Sequence, residues 1–250
     1  MYYFASDIHL GGGGRAVARE TESRFVEWLE RAAEDAEAIL LCGDIFDIWF
    51  ENKRVVPKGF TRTLGTLSRL TDRGVRVIFM AGNHDMWLGD YLADECGLEI
   101  YRKPTIFEFA GKRVHVAHGD NLKLGRNWSL RLMNILFHSK FVYRAAARVV
   151  HPDLLLKFGH WWSEESRRKH RKMVGHNTID GYGVRSLIEY ATEHQATEPC
   201  DYYIFGHLHQ MFDYQGDGFR VLFTNDWSEE PHVAALDSEG NMRLESFRGV

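Results

Sequence analysis

Five short apolar segments of this sequence each end in a cluster of aspartate, asparagine or histidine residues. Each segment has the length and composition of a buried strand, and four of the five clusters contain a glycine. Because sites in α/β proteins lie at the carboxyl ends of strands, we expect these side chains to meet in one site. The segments are residues 2–5, 39–41, 75–81, 114–117 and 202–205, and the clusters are residues 6–9, 43–44, 82–85, 118–120 and 206–209.

Helices are predicted between the strands by apolar residues that recur at helical spacing. The spacing predicts helices over residues 20–37, 59–73 and 127–148, and Ser163 resembles the start of a further helix with Glu164 and Glu165 in its first turn. The tail after residue 219 reads as short strands with glycine turns. Together these elements predict an α+β, or α/β-like, sandwich.

Length and composition indicate a globular protein made and kept in the cytosol. The 250 residues, 44% of them hydrophobic, suit one large domain or one domain with an insertion. We find no run of ~18 apolar residues that could span a bilayer and no secretory signal. The three scattered cysteines fit neither a disulfide framework nor a zinc motif.

Charge is distributed unevenly along the chain. Residues 126–172 hold eleven Lys and Arg against three Asp and Glu, whereas the whole chain carries a net charge of −4. A basic segment on an acidic body is typical of proteins that meet phosphate, nucleic acid or an acidic membrane surface. A solvated helix face explains any single one of these cations equally well.

The clusters offer oxygen and nitrogen donors, a set that suits Mn²⁺, Fe or Zn²⁺. Taken singly, Asp7 could cap a helix, Asp44 could be a turn residue and His118 could be a hydrogen-bonded core histidine. Their joint occurrence at strand ends favours a metal site over these alternatives. The remaining histidines are given structural roles: His115, His138, His151, His160, His176, His194 and His232.

The five clusters, in this order, resemble the motifs of calcineurin-like metallophosphoesterases. The resemblance covers residues 7–209 and implies a four-layer β-sandwich flanked by helices, with two divalent metal ions that activate water and neutralise phosphoryl charge. It implies that one ion is held by Asp7, His9 and His209, and the other by Asn83, His118 and His207, with Asp44 bridging them.

Two further residues receive catalytic roles from this resemblance. His84 follows a ligand asparagine, so it is expected near the leaving group, where it stabilises or protonates that group. Asp47 follows the bridging Asp44 by three residues, where the family often has a residue that orients this histidine.

The segment between the fourth and fifth clusters is apolar, basic and helical in pattern. Residues 43–60 and 150–172 are similar to the UDP-2,3-diacylglucosamine pyrophosphatase family of lipid A synthesis, in which an inserted helical lid holds acyl chains. This similarity implies one domain over 1–250 with a lid over 126–175, and Mn²⁺ as the metal. It also implies cleavage of the substrate to UMP and 2,3-diacylglucosamine 1-phosphate. The residues it places on the substrate are Asn83, Ser163, Arg167 and His170.

The same similarity implies an amphiphilic UDP-sugar lipid as substrate, peripheral contact with the inner face of the cell membrane, and no nucleic acid partner. One departure is His84, where better-known members carry arginine. Three alternatives stay open: a phosphoesterase acting on nucleic acid or another phosphodiester, a protein phosphatase, and a metal-bearing interaction module without catalysis. The aromatic residues of the insertion lie in apolar stripes rather than a polar groove, which favours lipid over nucleic acid.

Overall fold

The computed structural model describes residues 1–52, 54–122, 149–173, 183–228 and 230–247, together with positions 139 and 142. The described strands are β1 (Tyr2–Ala5), β2 (Ala38–Leu41), β3 (Arg76–Met80), β4 (Glu99–Tyr101), β5 (Thr105–Phe109), β6 (Lys112–Ala117), β7 (Tyr202–Phe205), β8 (Phe212–Gln215), β9 (Arg220–Phe223), β10 (His232–Leu236) and β11 (Met242–Ser246). The described helices are α1 (Arg15–Ala32), α2 (Thr61–Asp72), α3 (Tyr91–Cys96), α4 (Pro152–Met173) and α5 (Val184–Gln195).

The strands form two mixed sheets. One has the order β11-β10-β1-β2-β3-β4, in which β1 to β4 are parallel, and the other has the order β5-β6-β7-β9-β8, in which β6, β7 and β9 are parallel. The register aligns Ala5 with Leu41 and Leu41 with Phe79. The carboxyl ends of β1, β2 and β3 therefore lie within one residue of one another.

Strands of both sheets are apolar on both faces because each sheet is covered on both sides. In β2, Leu40 points into the core between the sheets, and its neighbours Ile39 and Leu41 point to the helices outside. This alternation follows from the two-residue period of a strand. Burial on both faces explains why the sequences of these strands are continuous apolar runs.

Helices complete the four layers. Phe25, Trp28 and Leu29 of α1 pack on the outer face of the first sheet with Leu67 of α2. Helix α5 packs on the outer face of the second sheet. The arrangement of helix, sheet, sheet and helix confirms the predicted α+β sandwich.

Several predicted boundaries shift. The first helix was predicted over 20–37 but spans Arg15–Ala32, because residues 33–37 turn back and the Glu37 N–H donates to the Met1 carbonyl at 2.8 Å. The helix predicted over 59–73 is α2, after which Gly74 takes a φ of +89°. The strands at 2–5 and 202–205 have the predicted bounds.

The predicted helix start at Ser163 is wrong. Ser163 lies inside α4, which begins at Pro152 with Asp153 in its first turn. Proline is well suited to the first helical position, and an aspartate there interacts favourably with the helix dipole, so the true start has the stronger signal. The helix predicted over 127–148 lies outside the described residues, apart from positions 139 and 142. Among the described helices, none combines the length and apolar character needed to cross a membrane.

Candidate metal centre

Loops that leave strands of both sheets bring the candidate ligands together. Two backbone hydrogen bonds extend the pairing of β1 and β2 into their loops: the Asp7 N–H donates to the Gly43 carbonyl at 3.1 Å, and the His9 N–H donates to the Asp44 carbonyl at 3.0 Å. The Asp7 carboxylate accepts the His207 N–H at 3.0 Å, which joins the first sheet to the second.

One group of donors consists of Asp7, His9 and His209, whose ligand atoms all lie within 4.8 Å of one another. His209 Nε2 lies 3.4 Å from Asp7 Oδ1 and 3.1 Å from His9 Nε2. Both histidines therefore turn the same ring nitrogen towards a shared point beside the carboxylate.

A second group consists of Asp44, His118 and His207, again within 4.8 Å. His118 Nε2 lies 3.2 Å from Asp44 Oδ2 and 3.2 Å from Asn83 Oδ1. Asp44 also groups with His9 and His84, so its carboxylate lies between the two sets of donors. The structure thus brings together all seven residues that the family resemblance implied as metal ligands.

Burial of these carboxylates fits a centre that holds cations. Asp7 and Asp44 are almost fully buried, and a buried anion needs a compensating positive charge. Burial raises the pKa of Asp7 above its ordinary value. Burial also acts to raise the pKa of Asp44, but the attraction of His118 and His84 outweighs it and lowers that pKa well below the ordinary value. Carboxylates, imidazoles and an amide form a donor set that suits divalent transition metals.

The backbone of the ligand loops is strained. Asp7, His9, Asp44, His207 and His209 all have φ between +49° and +68°, and they are five of the seven described non-glycine residues with positive φ. Such conformations cost on the order of 1 kcal/mol or more each and cluster at functional sites. The strain indicates that these residues are held in place for function, at a cost in local stability.

Gly82 allows two of the loops to approach closely. A Cβ atom at this position would lie 2.2 Å from Asp44 Oδ1 and 2.5 Å from the Asp44 amide nitrogen. The nearby Asp85 carboxylate accepts the Gly82 N–H at 2.7 Å and the Ile45 N–H at 2.8 Å. Asp85 therefore ties the loop after β3 to the loop after β2.

Comparison with known families agrees with this architecture. A model of the family described as calcineurin-like phosphoesterase matches residues 2–211. The chain belongs to the calcineurin-like phosphoesterase family. It is a metal-dependent hydrolase, and the clustered Asp and His residues are where the divalent ions of such an enzyme fit.

Relatives of this phosphoesterase cover nearly its full length. A protein of Porphyromonas gingivalis named UDP-2,3-diacylglucosamine hydrolase is 40% identical over 99% of this chain and 98% of its own. A protein of Nitrosococcus oceani with the same name is 32% identical over 95% of this chain and 92% of its own. A solved structure described as a novel archaeal phosphodiesterase covers 98% of this chain and 99% of its own, with a TM-score of 0.51 and 14% identity. That last similarity shows the fold alone.

Asp47 contacts the phosphoesterase centre differently from the prediction. The prediction was that Asp47 orients His84. The contact with His84 Nδ1 is made by the Asp47 backbone carbonyl, at 2.8 Å. The Asp47 carboxylate instead accepts the Ser163 hydroxyl at 2.6 Å and lies 3.4 Å from His160 Nδ1 and 3.8 Å from His9 Nδ1. The carboxylate is therefore shared between α4 and the ligand loops.

Ser163 was predicted to contact substrate, and in the structure it is fully buried with its hydroxyl on Asp47. One helical turn earlier lies His160, which the sequence assigned to a structural role and which the structure places beside the same carboxylate. Trp162 lies over His84, with ring centroids 5.5 Å apart. The spacing of three residues puts His160 and Ser163 on one face of the helix, but it does not indicate the carboxylate that they meet. Arg167 and His170 lie within α4, and their side chains are outside the described part of the chain.

Asp226 is a site residue that the motifs did not reveal. It lies three residues after β9, and its Oδ2 lies 3.3 Å from His209 Nδ1. By contrast, His115 lies on the far side of β6 against Tyr190 and Tyr203, away from the centre as expected.

Proposed function

We propose that this phosphoesterase hydrolyses the diphosphate of UDP-2,3-diacylglucosamine to UMP and 2,3-diacylglucosamine 1-phosphate, a step of lipid A synthesis. The observation that carries the proposal is the 40% identity to a protein named UDP-2,3-diacylglucosamine hydrolase over 99% of this chain. The match runs through α4 as well as the metal centre, and α4 is the part expected to distinguish one phosphoester from another.

The assignment of ligands is part of the proposal. Asp7, His9 and His209 hold one ion, Asn83, His118 and His207 hold the other, and Asp44 lies between them as the shared carboxylate. This division follows the donor groups seen in the structure. We propose Mn²⁺ for both positions because carboxylate and amide oxygens favour the harder ions. When bound, the two ions supply Lewis acidity and an activated water.

His84 is proposed to bind a phosphoryl oxygen. Its backbone N–H donates to Asp44 Oδ1 at 2.8 Å, which holds the loop, and its ring Nδ1 lies 2.8 Å from the Asp47 carbonyl, which fixes the ring. Its Nε2 lies 3.8 Å from Asp44 Oδ2 and is directed at the centre. Both products are phosphate anions, so the reaction does not need a strong acid. With Nδ1 donating to the Asp47 carbonyl, the imidazolium form of His84 presents its Nε2 proton to the phosphoryl oxygen.

Helix α4 is proposed as part of a lid spanning residues 126–175, inserted into a single domain over residues 1–250. Its Gly159, Trp162 and Ser163 face the body, and a Cβ at Gly159 would lie 3.0 Å from Ile48. On the opposite face Leu154, Phe158 and Trp161 are 60%, 48% and 61% exposed. These positions follow the helical repeat, so they form one apolar stripe.

We propose that this stripe contacts the acyl chains of the substrate and the inner face of the cell membrane, with the protein in the cytoplasm and peripheral. An amphipathic helix lies in the interface rather than spanning it. Arg167 and His170, later on the same helix, are proposed to contact the polar part of the substrate, with Asn83 at the diphosphate. Nucleic acid is not an expected partner.

The test is phosphorus NMR on metal-stripped protein refilled with Mn²⁺ and given UDP-2,3-diacylglucosamine. Release of UMP and a sugar 1-phosphate supports the substrate, the bond cleaved and the metal requirement together. Protein left metal-free is the control and should be inactive. Absence of turnover, while a generic phosphodiester is still cleaved, would reject the lipid substrate in favour of another phosphodiester such as nucleic acid.

A further inference from the structure

Asp226 lies behind His209 on the side away from the metal centre. Its Oδ2 is 3.3 Å from His209 Nδ1, while its Oδ1 accepts the Ser228 hydroxyl at 2.7 Å and the Ser228 N–H at 3.4 Å. The turn at residues 226–228 therefore fixes one carboxylate oxygen and directs the other at the histidine.

This contact determines which nitrogen of His209 faces the metals. With Nδ1 donating its proton to Asp226, the lone pair of a neutral imidazole is on Nε2. Nε2 is the atom that lies 3.4 Å from Asp7 Oδ1 and 3.1 Å from His9 Nε2. The hydrogen bond therefore selects the tautomer that can bind an ion between these residues.

In the other donor group, the acceptor behind His118 is not a carboxylate. His118 Nδ1 lies 3.0 Å from the Cys42 backbone carbonyl, which is a neutral acceptor. A carboxylate acceptor makes the opposite ring nitrogen a stronger ligand than a neutral acceptor does, and loss of such a partner commonly weakens metal binding by about 10- to 100-fold.

We propose that Asp226 is a positioning residue that orients and strengthens His209 as a ligand, and that it raises the affinity of the Asp7, His9 and His209 site for its ion. The proposal concerns the retention of metal and holds whichever phosphoester the enzyme cleaves. It rests on the placement of one ion at these three residues.

The test is a Mn²⁺ titration of metal-stripped protein, followed by calorimetry or by the electron paramagnetic resonance of free Mn²⁺. In the Asp226→Ala variant, one of the two sites should lose about 10- to 100-fold in affinity, and the other should bind as in wild type. Asp226→Asn keeps the size and a neutral acceptor, so its loss should be smaller. Asp226→Glu keeps the charge and should recover part of the affinity.

Asp237→Ala is the matched control because Asp237 also holds a turn through backbone N–H groups, between β10 and β11. It should leave both sites unchanged. Wild-type binding at both sites of Asp226→Ala would overturn the proposal. The proposal would also be overturned if both sites were weakened equally and the metal-free variant had a lower melting temperature. That result would show that Asp226 only stabilises the fold.

Discussion

The ligand loops and helix α4 approach the same centre but are held in different ways. The loops are extensions of the sheets: the Leu10 N–H donates to the Ile45 carbonyl at 2.9 Å, and the Gly206 N–H donates to the His118 carbonyl at 3.0 Å. Helix α4 meets the centre through side chains, chiefly Ser163 and His160 on the Asp47 carboxylate. Backbone pairing fixes the metal chemistry, whereas side-chain contacts position the region proposed to select substrate.

This difference means that the two regions should respond differently to mutation. A substitution in a ligand loop removes a donor from a preformed cluster, and the remaining buried charges lose their partner. A substitution on the inner face of α4 weakens the attachment of a helix while the cluster remains. The four expected outcomes below run from the largest effect to the smallest.

The largest effect is expected for Asp44→Ala. Asp44 lies between both donor groups, so its removal should release both ions and reduce turnover by a factor on the order of 1,000 or more. Metal analysis of the purified variant and its turnover rate measure the two effects. Asp237→Ala serves as the control. A variant that retains two ions would show that Asp44 is not shared between the sites.

A large effect on turnover alone is expected for His84→Ala. The His84 ring is proposed to bind substrate rather than metal, so turnover should fall by about 100- to 1,000-fold while both ions stay bound. Metal analysis together with steady-state kinetics distinguishes a loss of substrate binding from a loss of metal. His232→Ala, in β10, is the control for loss of an imidazole. A metal-free His84 variant would place His84 among the ligands and contradict this division of roles.

A smaller effect, confined to α4, is expected for Ser163→Ala. The lost hydrogen bond is to a carboxylate and contributes about 1.5–3 kcal/mol, which is about 10- to 150-fold in the equilibrium that docks the helix. Hydrogen exchange of residues 152–165 should become faster, and turnover of the amphiphilic substrate should fall more than that of a small diester. Metal content should not change.

Glu164→Ala, on the exposed side of the same turn, is the matched control. If Ser163 contacts substrate directly, as the family resemblance implied, KM rises in Ser163→Ala and the hydrogen exchange of α4 stays at the wild-type rate. That result would show that Ser163 acts on the substrate and does not hold α4 on the body of the protein.

The same contrast explains what the sequence could predict. A ligand loop is a local pattern, in which an apolar strand is followed at once by Asp or His, so Asp7, Asp44 and His207 could be placed from the sequence. The contact of Ser163 with Asp47 joins residues 116 positions apart, and no local pattern encodes it. One side-chain partner of His209 is Asp226, which follows a strand without a repeated motif, and it was missed for the same reason.

The boundary errors have a similar origin. Apolar spacing placed both ends of the first helix five residues late, because spacing identifies the buried face and not the ends. The glycine loop before Arg15 and the return of residues 33–37 to Met1 determine where the helix starts and stops. Ser163 was taken for a cap because serine followed by glutamates has the same composition in a helix interior as at a helix start.

The smallest effect is expected at His115, which belongs to the body of the protein and lies away from both regions. Burial, and next the neighbouring His194, lower the pKa of His115 to about 4. An unfolded histidine has a pKa of ~6.5, so between these values the unfolded chain binds more protons and stability falls as the pH falls. The change from pH 7 to pH 5 should remove about 2 kcal/mol of stability through this residue.

His115→Phe should remove that part of the pH dependence. Denaturant unfolding at pH 7 and at pH 5 gives the change in the free energy of unfolding between the two pH values. The substitution also alters packing, but that effect is the same at both pH values and cancels when this change is compared between variant and wild type. The metal ligands titrate in both proteins, so their effect is common to both. A variant with the wild-type pH dependence would show that His115 does not account for the loss of stability in acid, which would then come from other buried titrating groups.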